Sequence, residues 1–341
     1  MGRTYENNGI QGKIPERDFN PNEPYTITAT VIGNYKYVKY QKSPYYCSQN
    51  INKLTPKSIF TKWDDRIAYY LVANIQMFVS LYDGQQGGYK LDDIKNYTLN
   101  LPIKDGKIDF DFMESFIEKL EAERIAELEN YLLAAGLKDC NLTEKEQKVL
   151  FEYDKIEWGK FELGSLFERM KTKKLPYKAD DLPKQMTREC TLPCLTSSFR
   201  NQGLNYYVPK EGATVLRNVI SIPSNSDVYR AYYQSNDFTV LSDAYAIQWI
   251  FNDVELLPSQ YLFAVSCINK VTDLPIYSYK NKLGGWNVVK NKYIQLPIKD
   301  DEPDYETMGT LISAIQKIVI KDVVVYTDSK IAATKNVTKE K

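Results

Sequence analysis

The sequence offers few residue types that could carry out catalysis, because it contains no histidine. Hydrolases with a histidine base, HExxH zinc sites and histidine proton relays are therefore excluded. Carboxylates, lysines, tyrosines and five cysteines remain as candidate groups. The sequence has neither a Walker-type phosphate loop nor a GxGxxG dinucleotide motif.

Two segments approach catalytic motifs without matching them. Asp139 followed by Glu146-Gln147-Lys148 has the residue types of a metal-dependent nuclease site. Thr143, three residues before Glu146, instead predicts a capping box at a helix start. The adenine-methyltransferase motif Asn/Asp-Pro-Pro-Tyr/Phe is absent, and residues 20–25, NPNEPY, are only loosely similar. We therefore predict that this chain performs no chemistry and holds no metal ion or cofactor itself.

Lysine and tyrosine alternate in residues 34–46, NYKYVKYQKSPYY, and this pattern could bind an anionic partner. Six lysines and no acid occur between residues 33 and 63, and five lysines and no acid between residues 274 and 299. Lysines neutralise phosphates, while tyrosines can stack on bases or reach their edges. The same alternation is also typical of a half-exposed strand with its rings inside and its amines in solvent. Both interpretations stay open for a single stretch.

Composition limits the class of protein further. Lys plus Arg and Asp plus Glu each number 44, so the net charge is zero, but the acids crowd into residues 105–154. Five cysteines leave one unpaired, and Cys190 and Cys194 have no second pair for a zinc site, so we expect reduced thiols. No run approaches the roughly 18 apolar residues that a membrane span needs. The start of the sequence, MGRTYENNGI, does not have the pattern of a signal peptide, so we expect a cytoplasmic protein.

The chain repeats itself at an offset of 195 residues. Residues 96–105, NYTLNLPIKD, return as residues 291–300, NKYIQLPIKD. The register continues through Asp109 and Asp304 to Met113 and Met308, after which each copy enters a helical pattern. Further upstream, residues 25–28 align loosely with residues 193–196. A repeat of this length predicts two large modules related by an approximate two-fold axis.

Each module consists of short β-branched and aromatic runs followed by a long helix. The first helix is expected over about residues 111–133 with a broad apolar stripe, and the second begins near Met308. We predict an α+β fold in which two β-rich domains in a pseudo-two-fold arrangement are joined by a pair of long antiparallel helices. The predicted boundaries are 1–105 for the first β-rich domain, 106–157 for the first helical region, 158–300 for the second domain and 301–341 for the second helical region.

These motifs carry a resemblance that covers nearly the whole chain. The order of the first LPIKD junction with its helix, then residues 158–167, WGKFELGSLF, then a second β-rich stretch closing on QLPIKD, resembles the specificity subunits of Type I and Type IIB restriction-modification systems. The resemblance implies two target-recognition domains, each reading one half of a split site in double-stranded DNA. It also implies that the helices fix the spacer and dock a methyltransferase or restriction subunit, which would bind S-adenosylmethionine and, where it cuts, Mg²⁺.

The resemblance and the basic stretches together give the candidate residues. For the first domain, the expected DNA contacts are Tyr35, Lys36, Lys39, Tyr40 and Lys42. For the second domain they are Arg200, Asn201, Gln202, Tyr279, Lys280, Asn281, Lys282 and Trp286. On the helical stripes, the expected partner contacts are Phe116, Leu120, Leu128, Leu311, Ile315 and Ile318.

The chain departs from the usual Type I layout because it is short and because no W-x-K-F-x-L-G motif precedes the first module. Both departures resemble the compact Type IIB form, and in particular the small subunit of the Bcg-type enzyme. Two other functions remain open. One is a helical scaffold or adaptor without DNA specificity; the other is a carboxylate-dependent hydrolase, for which no Asp or Glu stands out.

Overall fold

The computed structural model describes residues 1–84, 87–278 and 280–339, with side chains up to residue 333. It divides into two compact units. Unit 1 comprises Met1–Leu132 together with the chain from Tyr326 onward, and unit 2 comprises Leu133–Val325. The domain boundaries expected from the sequence stay a prediction.

Unit 1 is built on a three-stranded antiparallel sheet with strand order β2-β1-β3. Helix α1 packs on this sheet with one face buried, and a two-stranded hairpin, β4-β5, leads into the long helix α3. The elements of unit 1 are β1 (Thr26–Thr30), β2 (Val38–Gln41), β3 (Ile51–Leu54), α1 (Asp65–Ser80), α2 (Leu91–Asn96), β4 (Ile103–Lys104), β5 (Lys107–Ile108) and α3 (Phe110–Ala134).

Unit 2 contains three sheets, with strand orders β11-β10-β13-β7, β12-β8-β9 and β15-β14-β6. All neighbouring strands are antiparallel except β12 and β8. The elements of unit 2 are α4 (Glu144–Phe151), β6 (Trp158–Glu162), α5 (Leu163–Leu166), β7 (Phe167–Arg169), β8 (Leu192–Leu195), β9 (Leu204–Val208), β10 (Val219–Pro223), β11 (Tyr232–Gln234), β12 (Thr239–Val240), β13 (Ala244–Trp249), α6 (Pro258–Thr272), α7 (Trp286–Val289), β14 (Tyr293–Lys299), β15 (Glu302–Pro303) and α8 (Tyr305–Lys339), whose residues from Tyr326 onward belong to unit 1.

The two units share a topology that repeats residue by residue. In unit 1, Ile27 of β1 pairs with Tyr40 of β2 and with Leu54 of β3. In unit 2, the residues 193 positions later make the same two pairs: Ile220 of β10 pairs with Tyr233 of β11 and Ile247 of β13. Helices α1 and α6 follow at the same offset. This finding corrects the loose upstream alignment, because the counterpart of residues 25–28 is the start of β10 and not residues 193–196.

The hairpin before each long helix confirms the repeat at an offset of 195. Strand pairs Ile103–Ile108 and Ile298–Pro303 occupy equivalent places, and α3 and α8 begin 195 residues apart. In both copies an aspartate precedes the helix and accepts a hydrogen bond from a backbone N–H of the first turn. The N–H of Phe112 donates to the Asp109 side chain at 2.9 Å, and that of Thr307 donates to the Asp304 side chain at 3.0 Å. The side chain thereby caps a helix terminus whose first amides would otherwise be unpaired.

The cores lie where apolar strand faces meet the helices. In unit 1 the core includes Ile27, Ala68 and Phe78, whereas in unit 2 it includes Ile220, Ala264 and many further side chains. Cys194 and Cys267 are buried, and all five cysteines are free thiols, as expected. In the described part of the chain, no helix is long and apolar enough to span a membrane.

The α+β character expected from the sequence is confirmed, as is the first long helix, whose observed bounds lie within one residue of those expected. The expected buried stripe of α3 is only partly correct. Met113, Ile117 and Leu132 are buried, whereas Phe112 and Phe116 are exposed. The two-fold arrangement and the antiparallel helix pair stay predictions.

The nuclease-like residues of unit 2 form a structural cluster. Thr143 and Glu146 form the expected capping box at the start of α4. The buried Glu146 carboxylate also accepts hydrogen bonds from Ser313 Oγ at 2.5 Å and Lys317 Nζ at 3.0 Å. Asp139 does come close, but the cation between the two carboxylates is Lys317, whose Nζ lies 3.4 Å from Asp139 Oδ2.

Burial acts to raise the pKa of the Glu146 carboxyl, but the hydrogen bonds from Ser313, the Thr143 backbone and Lys317 outweigh it and lower the pKa to about 2. Because the pKa of Glu146 is lower in the folded than in the unfolded protein, its ionised form stabilises the fold. This stabilisation is complete above the unfolded-state pKa, near 4.5, and is lost as the pH falls toward 2. We therefore expect Glu146→Gln to destabilise the protein by about 1–3 kcal/mol at pH 7, because a buried network loses its charge.

The measurement is urea unfolding at pH 7 and pH 3, with the exposed Glu144 on the same helix substituted by Gln as the matched control. The difference between wild type and Glu146→Gln should shrink at pH 3, while Glu144→Gln should stay close to wild type. An equal difference at both pH values would contradict the proposed coupling.

The two hairpin turns offer a reciprocal test of backbone strain. Their central residues all have positive φ: 50° and 71° for Asp105 and Gly106, and 53° and 64° for Asp300 and Asp301. Glycine adopts this region without steric cost, whereas an aspartate does not. We expect Asp301→Gly to stabilise the protein by about 0.5–1 kcal/mol and Gly106→Asp to destabilise it by a similar amount. Thermal unfolding measures both, and changes of the same sign would refute the explanation.

Candidate nucleic-acid interface

The Lys-Tyr stretch of unit 1 forms the edge strand β2 and its flanks. Alternation along the strand buries Val38 and Tyr40 and leaves Lys39 half-exposed. Tyr35, in the loop before β2, is exposed at 68% of its surface. The half-exposed strand interpretation therefore describes β2 itself correctly, while the preceding loop presents an aromatic ring to solvent.

Lys39 and Lys42 hold their ammonium groups against aromatic rings. The Lys39 Nζ lies 4.5 Å from the ring centre of Tyr5, and the Lys42 Nζ lies 5.5 Å from that of Tyr69. Lys42 also forms an ion pair with Asp65 at 2.5 Å, and this hydrogen bond raises the pKa of Lys42. Partial burial lowers the pKa of Lys39.

Two of the expected DNA contacts in unit 1 are not accessible. The Lys36 side chain is buried, and its ammonium group donates to the carbonyl oxygens of Gly33 and Tyr82. Tyr40 is buried against Trp63 and Tyr69. The structure thus corrects these two assignments, because a side chain that fills the core cannot also contact a phosphate.

The stretch is free of acids in sequence but not in space. The fold brings Asp83 to the backbone N–H of Lys36, Asp65 to Lys42 and Glu114 to Lys62. Part of the positive charge that seemed unpaired along the chain is therefore neutralised by Asp65 of α1 and Glu114 of α3, whereas Asp83 accepts only a backbone N–H. Sequence reasoning could not find these partners, since they lie 23 to 52 positions away.

In unit 2, the two loops expected to contact DNA both attach to the segment that includes the edge strand β11. Tyr232 of β11 donates its hydroxyl to the Phe199 carbonyl, and Gln234 donates its side-chain amide to the Gln202 carbonyl. Just before the strand, Tyr229 donates to the Ser278 carbonyl at 3.5 Å. The structure therefore gathers residues 199–202 and Ser278 around residues 229–234.

Most of these loop residues are exposed. Arg200, Asn201, Gln202, Lys280, Asn281 and Lys282 all have exposed side chains. Asn201, Gln202 and Lys282 have positive φ values of 47°, 53° and 50°. Trp286 begins α7 and is half-buried against Tyr245, at 6.2 Å between ring centres. Tyr279 lies outside the described residues.

Sequence reasoning missed the strand around which these loops gather. By the pairing register, Tyr232 and Gln234 of β11 correspond to Lys39 and Gln41 of β2. Arg230, next to this strand, holds Asp273 through two nitrogens at 2.9 and 2.8 Å. The run YRAYYQ at residues 229–234, at an offset of 193 from the basic stretch, is the signal that could have identified it.

The expected partner contacts divide by exposure. Phe116 and Leu120 are exposed on α3 and line an open cavity of about 640 Å³ within unit 1, together with Tyr70, Met77 and Tyr326. Leu128 is half-buried, whereas Ile315 and Ile318 of α8 are exposed. Leu311 is 2% exposed within the core of unit 2, so it is not available to a partner.

Asp, Glu and Cys are the side chains of this protein that could hold a metal ion. Across residues 1–84, 87–278 and 280–339, no three of them converge as a candidate metal site. The titratable groups near the candidate DNA residues instead form ion pairs and cation–π contacts. The arrangement described here is therefore suited to binding through charge, aromatic rings and amide groups.

Comparison with known proteins finds a family model that matches part of the chain and solved structures with a similar fold. Residues 1–130 match the family model described as the Type I restriction modification DNA specificity domain. No curated protein matches the chain. The fold is similar to the crystal structure of the S subunit of a Type-I restriction-modification system from M. genitalium, with a TM-score of 0.53, 14% identity, and coverage of 95% of this chain and 83% of that one.

Two further solved structures have lower scores. One is the HsdS subunit from Thermoanaerobacter tengcongensis, with a TM-score of 0.34, 12% identity, and coverage of 89% of this chain and 74% of that one. The other comes from work on complex assembly and conformational transition of the type I R-M system, with a TM-score of 0.36, 12% identity, and coverage of 92% and 78%.

The resemblance to Type I specificity subunits is confirmed by the family match and by the shared fold. The particular likeness to the Bcg-type small subunit stays a prediction. Unit 2, beyond the matched residues, repeats the sheet register and the hairpin–helix junction of unit 1. Residues 1–130 therefore match the Type I restriction modification DNA specificity domain, and the fold of the chain is similar to that of a solved Type-I S subunit.

Proposed function

We propose that this chain is the non-catalytic DNA-recognition subunit of a restriction-modification complex and that each unit reads one half of a split site. The observation that carries the proposal is the repeat: the family match covers residues 1–130 of unit 1, and strands β11, β10 and β13 of unit 2 repeat the pairing of β2, β1 and β3. A protein with two copies of one reading module can contact two half-sites of double-stranded DNA.

In unit 1, Tyr35, Lys39 and Lys42 are the proposed DNA contacts, because they remain accessible around β2. In unit 2, the proposed contacts are Arg200, Asn201 and Gln202 in the loop bonded to β11, together with the exposed Lys280, Asn281 and Lys282. Arginine, asparagine and glutamine can make paired hydrogen bonds to base edges, whereas lysine contacts mainly supply affinity through phosphates.

The long helices α3 and α8 would fix the spacer between the half-sites as an antiparallel pair. α8 contributes residues to both units, up to Val325 in unit 2 and from Tyr326 in unit 1. A rigid helix that belongs to both units would transmit a fixed length, at about 1.5 Å per residue.

A methyltransferase or restriction subunit would dock on the exposed apolar side chains of these helices, Phe116, Leu120, Ile315 and Ile318, with Leu128 at the margin. That partner would bind S-adenosylmethionine, and Mg²⁺ where it cleaves, and would flip the target base out of the duplex. This chain would bind DNA and orient the partner. The same exposed side chains also support the second candidate function, a helical scaffold that assembles protein partners without reading DNA.

The test is a methylation map of DNA from cells that express the chain with its methyltransferase subunit, compared with cells that express that subunit alone. A split motif of constant spacing, present only with both chains, is expected. Inserting seven residues into both α3 and α8 should lengthen the spacer by about 3 base pairs and leave both half-sites unchanged. Scrambled half-sites would contradict the ruler role, and no motif at all would favour the scaffold.

The charge contribution can be tested separately on the complex. Replacing both Lys280 and Lys282 with Ala should reduce the slope of log K against log salt concentration by about 2, because two phosphate contacts are lost. The control is Lys210→Ala, since Lys210 is already paired with Asp237 at 2.9 Å. Titration of labelled duplex DNA at several salt concentrations measures both, and equal slopes for the double variant and wild type would remove these lysines from the interface.

A further inference from the structure

In unit 2, one segment bridges two sheets and completes the core. This clip segment, residues 158–169, contains β6, α5 and β7. β6 pairs along β14, and β7 pairs along the outer edge of β13. Between them, Leu163, Leu166 and Phe167 are at most 1% exposed. The clip segment therefore supplies both backbone pairing and apolar side chains to the core.

In unit 2, the clip segment fills the space beside β13, α6 and β14. The equivalent space in unit 1 is an open apolar cavity of about 290 Å³. Three pairs of equivalent residues show this, related by offsets of 193 or 195. Their members in unit 2 are buried beneath or beside the clip segment, whereas those in unit 1 line the cavity and are half-exposed. The pairs are Ile247 and Leu54, Ile268 and Ile75, and Ile294 and Leu99.

The backbone edges repeat the same contrast. β13 pairs with β10 on one side and β7 on the other, but its counterpart β3 pairs only with β1 among the described residues. β14 pairs with β6, whereas residues 98–102, its counterpart in unit 1, do not lie in a strand. Ile103 is 73% exposed, although its equivalent, Ile298, is packed against Gly159 of β6. Unpaired edges beside an apolar cavity are suited to accepting an added strand.

We propose that this cavity of unit 1 binds an extended segment of a partner polypeptide that has the pattern of the clip segment, aromatic-Gly-x-Phe-x-Leu-Gly-x-Leu-Phe. The added segment would pair with the outer edge of β3 and with residues 98–102. Its two leucines and final phenylalanine would cover Leu54, Ile75 and Leu99, as Leu163, Leu166 and Phe167 complete the core of unit 2.

The glycines of the pattern are set by close contacts. A Cβ on Gly159 would lie 2.5 Å from Ile298 Cγ2, and a Cβ on Gly164 would lie 3.1 Å from the Lys290 carbonyl oxygen. The equivalents of these neighbours in unit 1 are Ile103 and Lys95, so the same restriction applies there. A partner segment with larger residues at either position would be held away from the cavity.

The experiment uses the full chain and a fluorescein-labelled synthetic peptide with the sequence of residues 157–170. Fluorescence anisotropy should show saturable binding to the wild-type chain. The peptide with Ala at both glycine positions should bind at least about 100-fold more weakly, because the added methyl groups clash. Equal binding of the two peptides, or no binding of the first, would overturn the proposal.

The cavity is tested on the chain with Leu99→Glu, which should abolish peptide binding, and with Ile59→Glu as the matched control. Ile59 is exposed and does not line the cavity, so this control should bind the peptide as the wild-type chain does.

Hydrogen exchange tests the added strand directly. In unit 2, the backbone amides of Gln248 and Ile250 face β7, and their equivalents in unit 1 are the amides of Thr55 and Lys57. Binding of the peptide to the wild-type chain should slow hydrogen exchange of the Thr55 and Lys57 amides. Unchanged exchange there would overturn the strand addition even where Leu99→Glu fails to fold. Sedimentation that shows self-association blocked by the peptide would assign the cavity to a second copy of this chain instead.

Discussion

The rest of each unit depends on one buried central strand. All five residues of β1 and all five of β10 are buried, so their backbone N–H and C=O groups have no access to water. Each strand must therefore be hydrogen-bonded on both sides, by β2 and β3 in unit 1 and by β11 and β13 in unit 2. This constraint fixes the register and places β2 and β11 at an edge, where loops and side chains remain accessible for recognition.

The same constraint explains how the protein separates structural charges from accessible ones. Charges near the sheet are held by specific partners: Lys36 by backbone carbonyls, Lys42 by Asp65 and Arg230 by Asp273. In the loops beside β11, the lysines at 280 and 282 are exposed. A net charge of zero is compatible with nucleic-acid binding because the local arrangement of charge, and not the sum, determines the potential at a surface.

The two units share one topology, but the apolar core is covered by the clip segment in unit 2 and open at the equivalent cavity in unit 1. In unit 2, the clip segment pairs with two sheets and buries Leu163 and Phe167, and Ile294 is buried with them. In unit 1, the equivalent of Ile294 is Leu99, which lines an open cavity. Apolar surface of this kind gains about 25 cal/mol for each Å² removed from water, which is the driving force for a strand added from another polypeptide.

The sequence by itself determined the features that depend on neighbouring residues. The first long helix and the capping box at Thr143 follow from spacings that local backbone geometry imposes. The repeat and the family resemblance were visible as similar residues in the same order along the chain. Tertiary structure alone decided which of the candidate residues are accessible. Lys36, Tyr40 and Leu311 are buried, whereas the similar side chains of Lys42, Tyr35 and Ile315 nearby are exposed. The sequence cannot separate them, because burial depends on contacts with distant elements. Only the folded chain brought Asp65 to Lys42, residues 199–202 to β11 and Ser278 to Tyr229, because these pairings join residues that no local pattern relates.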